Sequence, residues 1–112
     1  MRIAVTGRDG QVARSLSELA GRLGHEVVLL GRPGFDLADP STVAPAIRAA
    51  RAEAVINAAA YTAVDKAETE PDLALAINGA GAGAVAAAAA ELGLPVLQVS
   101  TDYVFDGSKV EP

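Results

Sequence analysis

The stretch that decides the fold of this chain is Ile3-Ala4-Val5-Thr6-Gly7-Arg8-Asp9-Gly10-Gln11-Val12-Ala13. A short β-branched run breaks at Gly7, and apolar residues at helical spacing begin after Gln11. A strand, a glycine turn and a helix in this order are typical of a dinucleotide-binding unit. Gly7 would take the tight turn, Gly10 would let the backbone approach a pyrophosphate, and the N–H groups near Gln11 and Val12 would face its negative charge. A purely structural turn is the alternative.

The rest of the chain alternates short apolar runs with helical stretches, which predicts parallel βαβ units. Further strands are predicted at Glu26–Leu30, Ala54–Ile56 and Val96–Val99, with a very short or missing third strand at Phe35–Leu37. Helices are predicted at Gln11–Leu23, from Asp39 to about Arg51, and from a capping box at Thr69–Asp72 to about Leu92. Pro45 favours a later start of the second helix. We expect a Rossmann-like, doubly wound parallel sheet in the order 3-2-1-4-5, with helices on both faces.

Composition restricts the class of protein. The 112 residues predict one domain, and 51% of them are apolar, so the chain should fold. The absence of cysteine excludes disulfides and thiolate metal sites, and we predict no metal site. A net charge of −5 without a basic cluster argues against nucleic acid. The longest unbroken apolar run, Ala84–Ala90, is far short of the roughly 20 residues of a membrane helix. We expect a cytoplasmic protein that does not bind membranes.

The end of the second predicted strand bears on the choice of cofactor. A carboxylate there would bind the ribose 2′-hydroxyl and favour NAD, but the residues are Leu30-Gly31-Arg32. Arg32 could face a 2′-phosphate, so NADP is favoured and NAD remains possible. A solvated turn arginine is the alternative. Asp36, beside Leu37, could flank the adenine or be an ordinary turn aspartate.

Four blocks occur in a fixed order along the chain. They are Thr6-Gly7-x-x-Gly10-Gln11-Val12, Asn57-Ala58-Ala59-Ala60-Tyr61-Thr62-Ala63-Val64-Asp65-Lys66-Ala67-Glu68, Asn78, and Ser100-Thr101-Asp102-Tyr103-Val104-Phe105-Asp106-Gly107. Together they resemble the extended short-chain dehydrogenase/reductases and, within them, the dTDP-4-dehydrorhamnose reductase family. The resemblance covers essentially the whole chain. It implies reduction of the 4-keto group of a dTDP-linked 6-deoxy-hexulose by NADPH or NADH.

The resemblance also implies roles for individual residues. Gly10, Gln11 and Val12 would hold the pyrophosphate, Asp36 and Leu37 would contact the adenosine end, and Ala60, Tyr61, Thr62 and Val99 would line the cofactor. Thr101 would be the catalytic hydroxyl that polarises the keto oxygen, with Asp102 and Tyr103 against the sugar. Independently, a threonine after a parallel strand points into the crevice where such sheets bind ligands. A hydroxyl that satisfies local backbone groups is the alternative for Thr101.

The chain departs from the family at the catalytic pair. Family members have a Tyr-x-x-x-Lys element, whose tyrosine is the general acid. Four residues after Tyr61 stands Asp65, and four after Tyr103 stands Gly107. The third glycine of the turn is replaced by Ala13, and the sugar-binding C-terminal region is missing. We therefore expect residues 1–112 to be the NAD(P)-binding Rossmann domain of a longer polypeptide, with weak dinucleotide binding and no turnover by itself.

Two other functions fit the same residues. One is a non-catalytic dinucleotide-binding subunit, such as the regulatory subunit of methionine adenosyltransferase. The other is a nucleotide-sugar epimerase or dehydratase. A downstream Tyr-x-x-x-Lys element would separate the first of these from a reductase. The Val96–Val99 strand would be a bare sheet edge, so we also expect that the chain could form a homo-oligomer.

Overall fold

Four parallel strands form the sheet of the computed structural model, which describes residues 1–101 and 106–111. They are β1 (Arg2–Thr6), β2 (Glu26–Leu30), β3 (Ala54–Asn57) and β4 (Val96–Gln98), in the order β2-β1-β3-β4. Within the described residues Phe35–Leu37 form no strand. The predicted order 3-2-1-4-5 is therefore confirmed in its variant with the third strand missing. Because the chain moves from β2 across β1 to β3, the crevice of the fold lies between the carboxyl ends of β1 and β3.

Helices cover both faces of the sheet, as predicted. They are α1 (Gln11–Arg22), α2 (Val43–Ala50), α3 (Val64–Ala67), α4 (Pro71–Leu75) and α5 (Ala82–Glu91). A 3₁₀ turn, Pro40–Thr42, precedes α2, and a π-helical turn, Ala76–Gly81, joins α4 to α5. The α1 helix packs against one face through Leu16 and Ala20, near Ile3 and Val5 of β1. The α2 and α5 helices pack against each other and against the opposite face.

The main core lies between the sheet and the α2–α5 layer. Ala4 and Val55 point to this layer, where Ile47 and Val85 meet them, and all four are at most 1% exposed. Successive residues of a strand face opposite sides of the sheet, so Ile3 and its neighbours supply the apolar surface under α1. The period-2 pattern of the strands thus explains why both layers can bury apolar side chains.

Hydrogen bonds show where two of the predicted helices begin. Asp39 Oδ1 accepts from the Ser41 N–H at 3.2 Å, so Asp39 caps the 3₁₀ turn, and α2 itself begins only at Val43. Pro45 then lies in the first turn of α2, where its missing N–H costs nothing. The other predicted helix start, the capping box at Thr69, is wrong, because the Thr69 side chain does not cap the helix that follows it.

The Thr69 hydroxyl donates backwards to the Lys66 carbonyl at 3.0 Å instead of capping the next helix. The α4 helix begins at Pro71, with Glu70 as its N-terminal flanking residue. The short helix α3 and the π turn were not predicted. Four residues are too few for a helical period to show, and around the π turn the chain is mostly alanine and glycine, so a one-residue shift of the apolar pattern leaves no visible signal.

One helical stretch among the described residues, Pro71–Glu91, passes a test for a membrane span by length and composition alone. It has 21 residues, and its mean hydropathy reaches 1.6 over an 18-residue window. The sequence prediction, which counted only unbroken apolar residues, did not identify it. The stretch buries Val85, Ala88 and Ala89 in the core, which is the usual position of an apolar helix in an α/β fold.

Candidate functional site

Gly7 lies where the carboxyl ends of three strands meet. Its φ is +85°, and a Cβ at this position would lie 3.2 Å from both the Ala58 oxygen and the Ala59 Cα. Its N–H donates to the Leu30 carbonyl at 3.1 Å, and the Arg8 N–H donates to the same oxygen at 3.3 Å. Glycine is thus required twice, for its conformation and for its lack of a side chain. The turn is fixed to β2 on one side and to the loop after β3 on the other.

The amino end of α1 opens directly from this turn. The Gly10 N–H donates to the Gly7 carbonyl at 2.8 Å, and the first helical bond runs from the Arg14 N–H to the Gly10 carbonyl at 3.1 Å. No side chain among the described residues caps the helix at Gly10, and its first turn carries no acid. The N–H groups of the first helical residues therefore have no acceptor within the helix. Gln11 and Val12 are exposed, so these donors and the positive end of the helix dipole are open to an anion.

Thr6 and Asn57 form a buried polar pair at the base of the crevice. Both are 0% exposed, and the Thr6 hydroxyl donates to Asn57 Oδ1 at 2.5 Å. The same hydroxyl oxygen accepts from the N–H groups of Ala58 and Ala59, at 3.1 and 3.0 Å. Thr6 thus holds the first residues of the loop that leads to Ala60. Sequence reasoning missed this role of Thr6; the signal was a polar residue at the end of each of two apolar strands.

The polar network continues to β4. Asn57 Nδ2 donates to Gln98 Oε1 at 2.8 Å, and Gln98 Nε2 donates to the Val99 carbonyl at 2.9 Å. The Val99 N–H donates to the Asn57 carbonyl at 3.1 Å. Val99, predicted to line the cofactor, therefore lies at the end of β4 beside Asn57 and is 40% exposed. Thr101 is two residues further along and is exposed, while Asp102 and Tyr103 lie outside the described residues.

The predicted cofactor loop Ala60–Thr62 is held from the helical side. The Tyr61 N–H donates to Asn78 Oδ1 at 2.8 Å, and Asn78 Nδ2 donates to the Tyr61 carbonyl at 3.1 Å. The Tyr61 hydroxyl donates to Glu70 Oε2 at 2.7 Å. This hydrogen bond to the carboxylate raises the pKa of Tyr61 above its usual value. A phenol that is committed to a carboxylate and hard to ionise is poorly suited to act as the general acid.

A cationic group that sequence reasoning missed lies at the end of β2. A Cβ built on Gly31 would be 2.7 Å from the Arg8 Cβ, so the Arg8 side chain crosses directly over Gly31. Arg8 Nη1 donates to the Arg32 carbonyl at 3.4 Å. The one ion pair found in residues 1–101 and 106–111 joins Arg2 to Glu26, so neither Arg8 nor Arg32 is paired with a described carboxylate. The signal available in the sequence was a basic residue between the two turn glycines.

Asp36 and Leu37 differ in their surroundings. Asp36 Oδ1 accepts from the Ala38 N–H at 2.9 Å, and the Asp36 N–H donates to Thr42 Oγ1 at 2.9 Å. Asp36 is half-buried and forms an aspartate turn. Leu37 is only 4% exposed, and its side chain belongs to the core. Their predicted contacts with adenosine stay predictions.

The structure thus brings most of the predicted cofactor residues to one edge of the sheet. Gly7, Gly10 and the start of α1 follow β1, Arg32 follows β2, and Ala60 and Tyr61 follow β3. Because the strands are parallel, these segments all leave the sheet at the same edge, where α/β proteins bind ligands. Among the described residues no group of three His, Asp or Glu side chains is arranged to hold a metal ion.

Comparison with known proteins agrees with this geometry. Residues 1–112 match the family model described as the RmlD substrate binding domain. The chain belongs to this family. The resemblance to dTDP-4-dehydrorhamnose reductases is confirmed with it, since a protein of that name from Sinorhizobium fredii is 56% identical to this RmlD-family chain over 112 residues. That match covers 100% of the chain and 38% of the relative.

Two solved structures are similar to this RmlD-family chain in both sequence and fold. A dTDP-4-dehydrorhamnose reductase from Bacillus anthracis, in complex with NADP, is 36% identical with a TM-score of 0.88, over 96% of the chain and 39% of that protein. Another, from Clostridium acetobutylicum, is 39% identical with a TM-score of 0.90, over 100% of the chain and 40% of that protein. The chain therefore spans about two fifths of the length of these relatives.

Proposed function

We propose that this chain is the NADP(H)-binding part of a dTDP-4-dehydrorhamnose reductase that acts on a dTDP-sugar in the cytoplasm. The observation that carries the proposal is the uncapped, acid-free amino end of α1, which opens from the Gly7 turn between β1 and β3. The names of the Sinorhizobium fredii and Bacillus anthracis relatives favour a reductase over a regulatory subunit or an epimerase. A homo-oligomer remains part of the proposal, because all three residues of the edge strand β4 are exposed.

The residues present fit a dinucleotide. The free N–H groups near Gln11 and Val12 bind the pyrophosphate, and Gly7 and Gly10 keep side chains out of its path. A carboxylate in this first turn would repel the phosphates, and none is there. A hydrogen bond from one of these N–H groups to a charged phosphate contributes about 1.5–3 kcal/mol. When bound, the cofactor supplies the hydride, and the residues of this chain fix its position.

Arg8 and Arg32 explain a preference for NADP over NAD. Arg32 follows β2 in the chain, and the Arg8 side chain crosses Gly31 at the end of β2, where the ribose of the cofactor would be placed. Without a carboxylate partner among the described residues, they attract the extra charge of a 2′-phosphate. An acid in the same place would instead bind the 2′-hydroxyl of NAD. Arg8 therefore joins Arg32 in the proposed adenosine site.

Thr101 is the proposed catalytic hydroxyl. It follows β4 at the carboxyl edge of the sheet, and its hydroxyl would donate a hydrogen bond to the substrate oxygen that gains charge. Asp102 and Tyr103 are proposed to contact the sugar. The phenol of Tyr61 is held by Glu70 and does not serve as the acid. We propose that the Tyr-x-x-x-Lys pair comes from a part of the polypeptide outside these 112 residues.

Cofactor binding is tested by NMR titration of the chain with NADPH and, separately, NADH. We expect shifts of the Gly10, Gln11 and Val12 amides, with tighter binding of NADPH. Shifts that are absent from this turn, or that appear on the opposite edge of the sheet, would contradict the cofactor proposal. The titration detects weak binding, which is what we expect of this chain by itself.

Activity is tested in a chimera. Residues 1–112 are joined to the part of the Sinorhizobium fredii relative that the match leaves uncovered, and NADPH oxidation with dTDP-4-dehydrorhamnose is followed. We expect turnover, a loss of roughly 10²-fold in Thr101→Val, and retention in Thr101→Ser, which keeps the hydroxyl. A folded chimera that binds NADPH but does not oxidise it with this substrate would reject the reductase assignment.

A further inference from the structure

The helical stretch that runs from α4 to α5 is interrupted by a π-helical turn at Ala76–Gly81. Such turns insert an extra residue into a helix and are frequent at functional sites. Here the turn carries two contacts with the two loops that flank the proposed cofactor site. One is made by the side chain of Asn78, and the other by the backbone at Gly81.

The Asn78 side-chain amide makes two hydrogen bonds with the backbone of the Ala60–Thr62 loop. Its oxygen accepts from the Tyr61 N–H at 2.8 Å, and its nitrogen donates to the Tyr61 carbonyl at 3.1 Å. A carboxamide is a side chain that offers a donor and an acceptor side by side, as this pairing requires. Because both bonds go to the same residue, they fix the orientation of the loop as well as its distance from the helix.

Gly81 touches the segment that contains Asp36 and Leu37. A Cβ at Gly81 would be 2.7 Å from the Leu37 oxygen and 2.8 Å from the Leu37 Cβ. Gly81 is buried, so only the absence of a side chain lets the helix come this close. The helix backbone therefore acts as a fixed support for this segment.

The π turn allows one helix to make both contacts. Residues three apart on an ideal α-helix point within about 60° of each other, since each residue turns roughly 100°. The wider π turn winds less per residue and separates the directions of Asn78 and Gly81 further. An uninterrupted α-helix would bring the two contacts towards the same side.

We propose that Asn78 is a positioning residue for NADP(H), and that the π turn sets the spacing between the Ala60–Thr62 loop and the Asp36–Leu37 segment. This inference rests on the proposed function, because both segments are predicted to contact the cofactor. This role needs no contact between Asn78 and the cofactor. Asn78 acts by holding the Tyr61 backbone, on which the shape of that side of the site depends.

The test compares Asn78→Ala and Asn78→Asp with a control, Asp72→Asn, in the full chain. Asp72 is exposed, lies on the same helical stretch, and makes no hydrogen bond with the Ala60–Thr62 loop in the described structure. Three quantities are measured: hydrogen exchange of the Tyr61 amide without cofactor, the dissociation constant for NADPH, and the melting temperature. Hydrogen exchange reports whether the Tyr61 N–H is protected by its hydrogen bond to Asn78, and it does so whether or not the chain binds NADPH.

We expect Asn78→Ala to speed exchange of the Tyr61 amide and to weaken NADPH binding about 10-fold. Asn78→Asp keeps the acceptor for the Tyr61 N–H, so exchange should stay slow, but its second oxygen replaces the donor to the Tyr61 carbonyl and repels that oxygen, so affinity should still fall. Asp72→Asn should match the wild-type chain in all three measurements. A merely structural role would lower the melting temperature of Asn78→Ala without changing the affinity of the folded protein.

The two proposals fail in different ways. If the wild-type chain does not bind NADPH at all, the proposed function is rejected and the inference with it. If the wild-type chain binds, and Asn78→Ala binds within twofold of it despite faster exchange, the inference alone is rejected. If neither Asn78 variant folds, Asn78 is a folding residue and the positioning role is also rejected.

Discussion

Thr6 Oγ1 lies 2.5 Å from Asn57 Oδ1, and this buried hydrogen bond joins the carboxyl ends of β1 and β3 directly below the proposed cofactor site. The Thr6 oxygen also accepts from the Ala58 and Ala59 N–H groups. A single hydroxyl thus satisfies three polar groups in a place that water does not reach. The loop after β3 takes its starting position from it.

Replacing Thr6 by valine removes the hydroxyl and keeps the shape of the side chain. The change leaves Asn57 Oδ1 and two backbone N–H groups without their partner, so we expect a loss of about 2–3 kcal/mol in the free energy of unfolding. Thr6→Ser keeps the hydroxyl and removes one methyl group, which costs about 1 kcal/mol. Urea denaturation measures both. Equal losses in the two variants would show that the hydroxyl contributes little.

Gly7→Ala and Gly24→Ala form a second matched pair. Both glycines have positive φ, +85° and +77°, so both variants carry a backbone cost of roughly 1–2 kcal/mol. Only at Gly7 does the new Cβ approach another segment, at 3.2 Å from Ala58 and Ala59. We expect Gly7→Ala to be the less stable variant by urea denaturation. It should also lose the NADPH-dependent amide shifts, which Gly24→Ala should keep.

Gly81→Ala and Gly83→Ala should change stability in opposite directions. At Gly81 a Cβ would collide with Leu37 at 2.7 Å, whereas at Gly83 nothing lies within 4 Å. Alanine is the better helix former, so Gly83→Ala should raise the free energy of unfolding by about 0.5–1 kcal/mol. Gly81→Ala should lower it. Thermal unfolding decides the matter, and a stabilised Gly81→Ala variant would show that the helix can move away from Leu37 without cost.

Arg8→Ala should reduce selectivity for NADPH. In the proposed site this charge would face the 2′-phosphate, so we expect affinity for NADPH to fall about 10-fold while affinity for NADH changes little. Arg14→Ala is the control. Arg14 is exposed on α1, so this substitution removes the same charge from a nearby position on the helix. Titrations with both cofactors measure the effect. A parallel fall for NADPH and NADH would place Arg8 at the pyrophosphate and not at the 2′-phosphate.

The Tyr61 phenol should titrate above its usual range. Glu70 accepts its hydrogen bond, which raises the pKa of Tyr61. Because the folded pKa is raised above the unfolded one, this contribution to stability is fully present below pH of about 10 and is lost as the pH rises through the folded pKa. Site-resolved NMR of the tyrosine ring measures the titration. In Glu70→Gln the pKa should return towards the usual value, and an unchanged pKa would contradict the assigned cause.

The parts of the fold that could be predicted are those encoded locally. The β1 strand, the Gly7 turn and the start of α1 at Gln11 follow one another within a few residues, and each has its own sequence signal. The β2 strand was predicted with its observed limits, Glu26–Leu30, because apolar residues and flanking turn residues mark both ends. The strand order followed from the general rules for parallel sheets.

The contacts that could not be predicted are those between segments distant along the chain. Arg8 crosses Gly31, and Asn78 holds Tyr61, only because the sheet and the π turn bring them together. Thr69 matched the pattern of a helix cap, but the unpredicted helix α3 places the Lys66 carbonyl within reach of its hydroxyl. Local patterns do not tell which of two nearby partners a hydroxyl will choose.

The pairing of Thr6 with Asn57 also distinguishes between alignments of β1 and β3. A slip of one residue would turn the apolar side chains to the wrong face, but a slip of two would keep every side chain on its proper face. Hydrophobic alternation therefore cannot reject the two-residue slip. Such a slip would place Thr6 opposite Val55 or Ala59 and leave Asn57 Oδ1 without the Thr6 hydroxyl. The hydrogen bond thus favours a single register of β1 and β3, the one in which the Gly7 turn packs against Ala59.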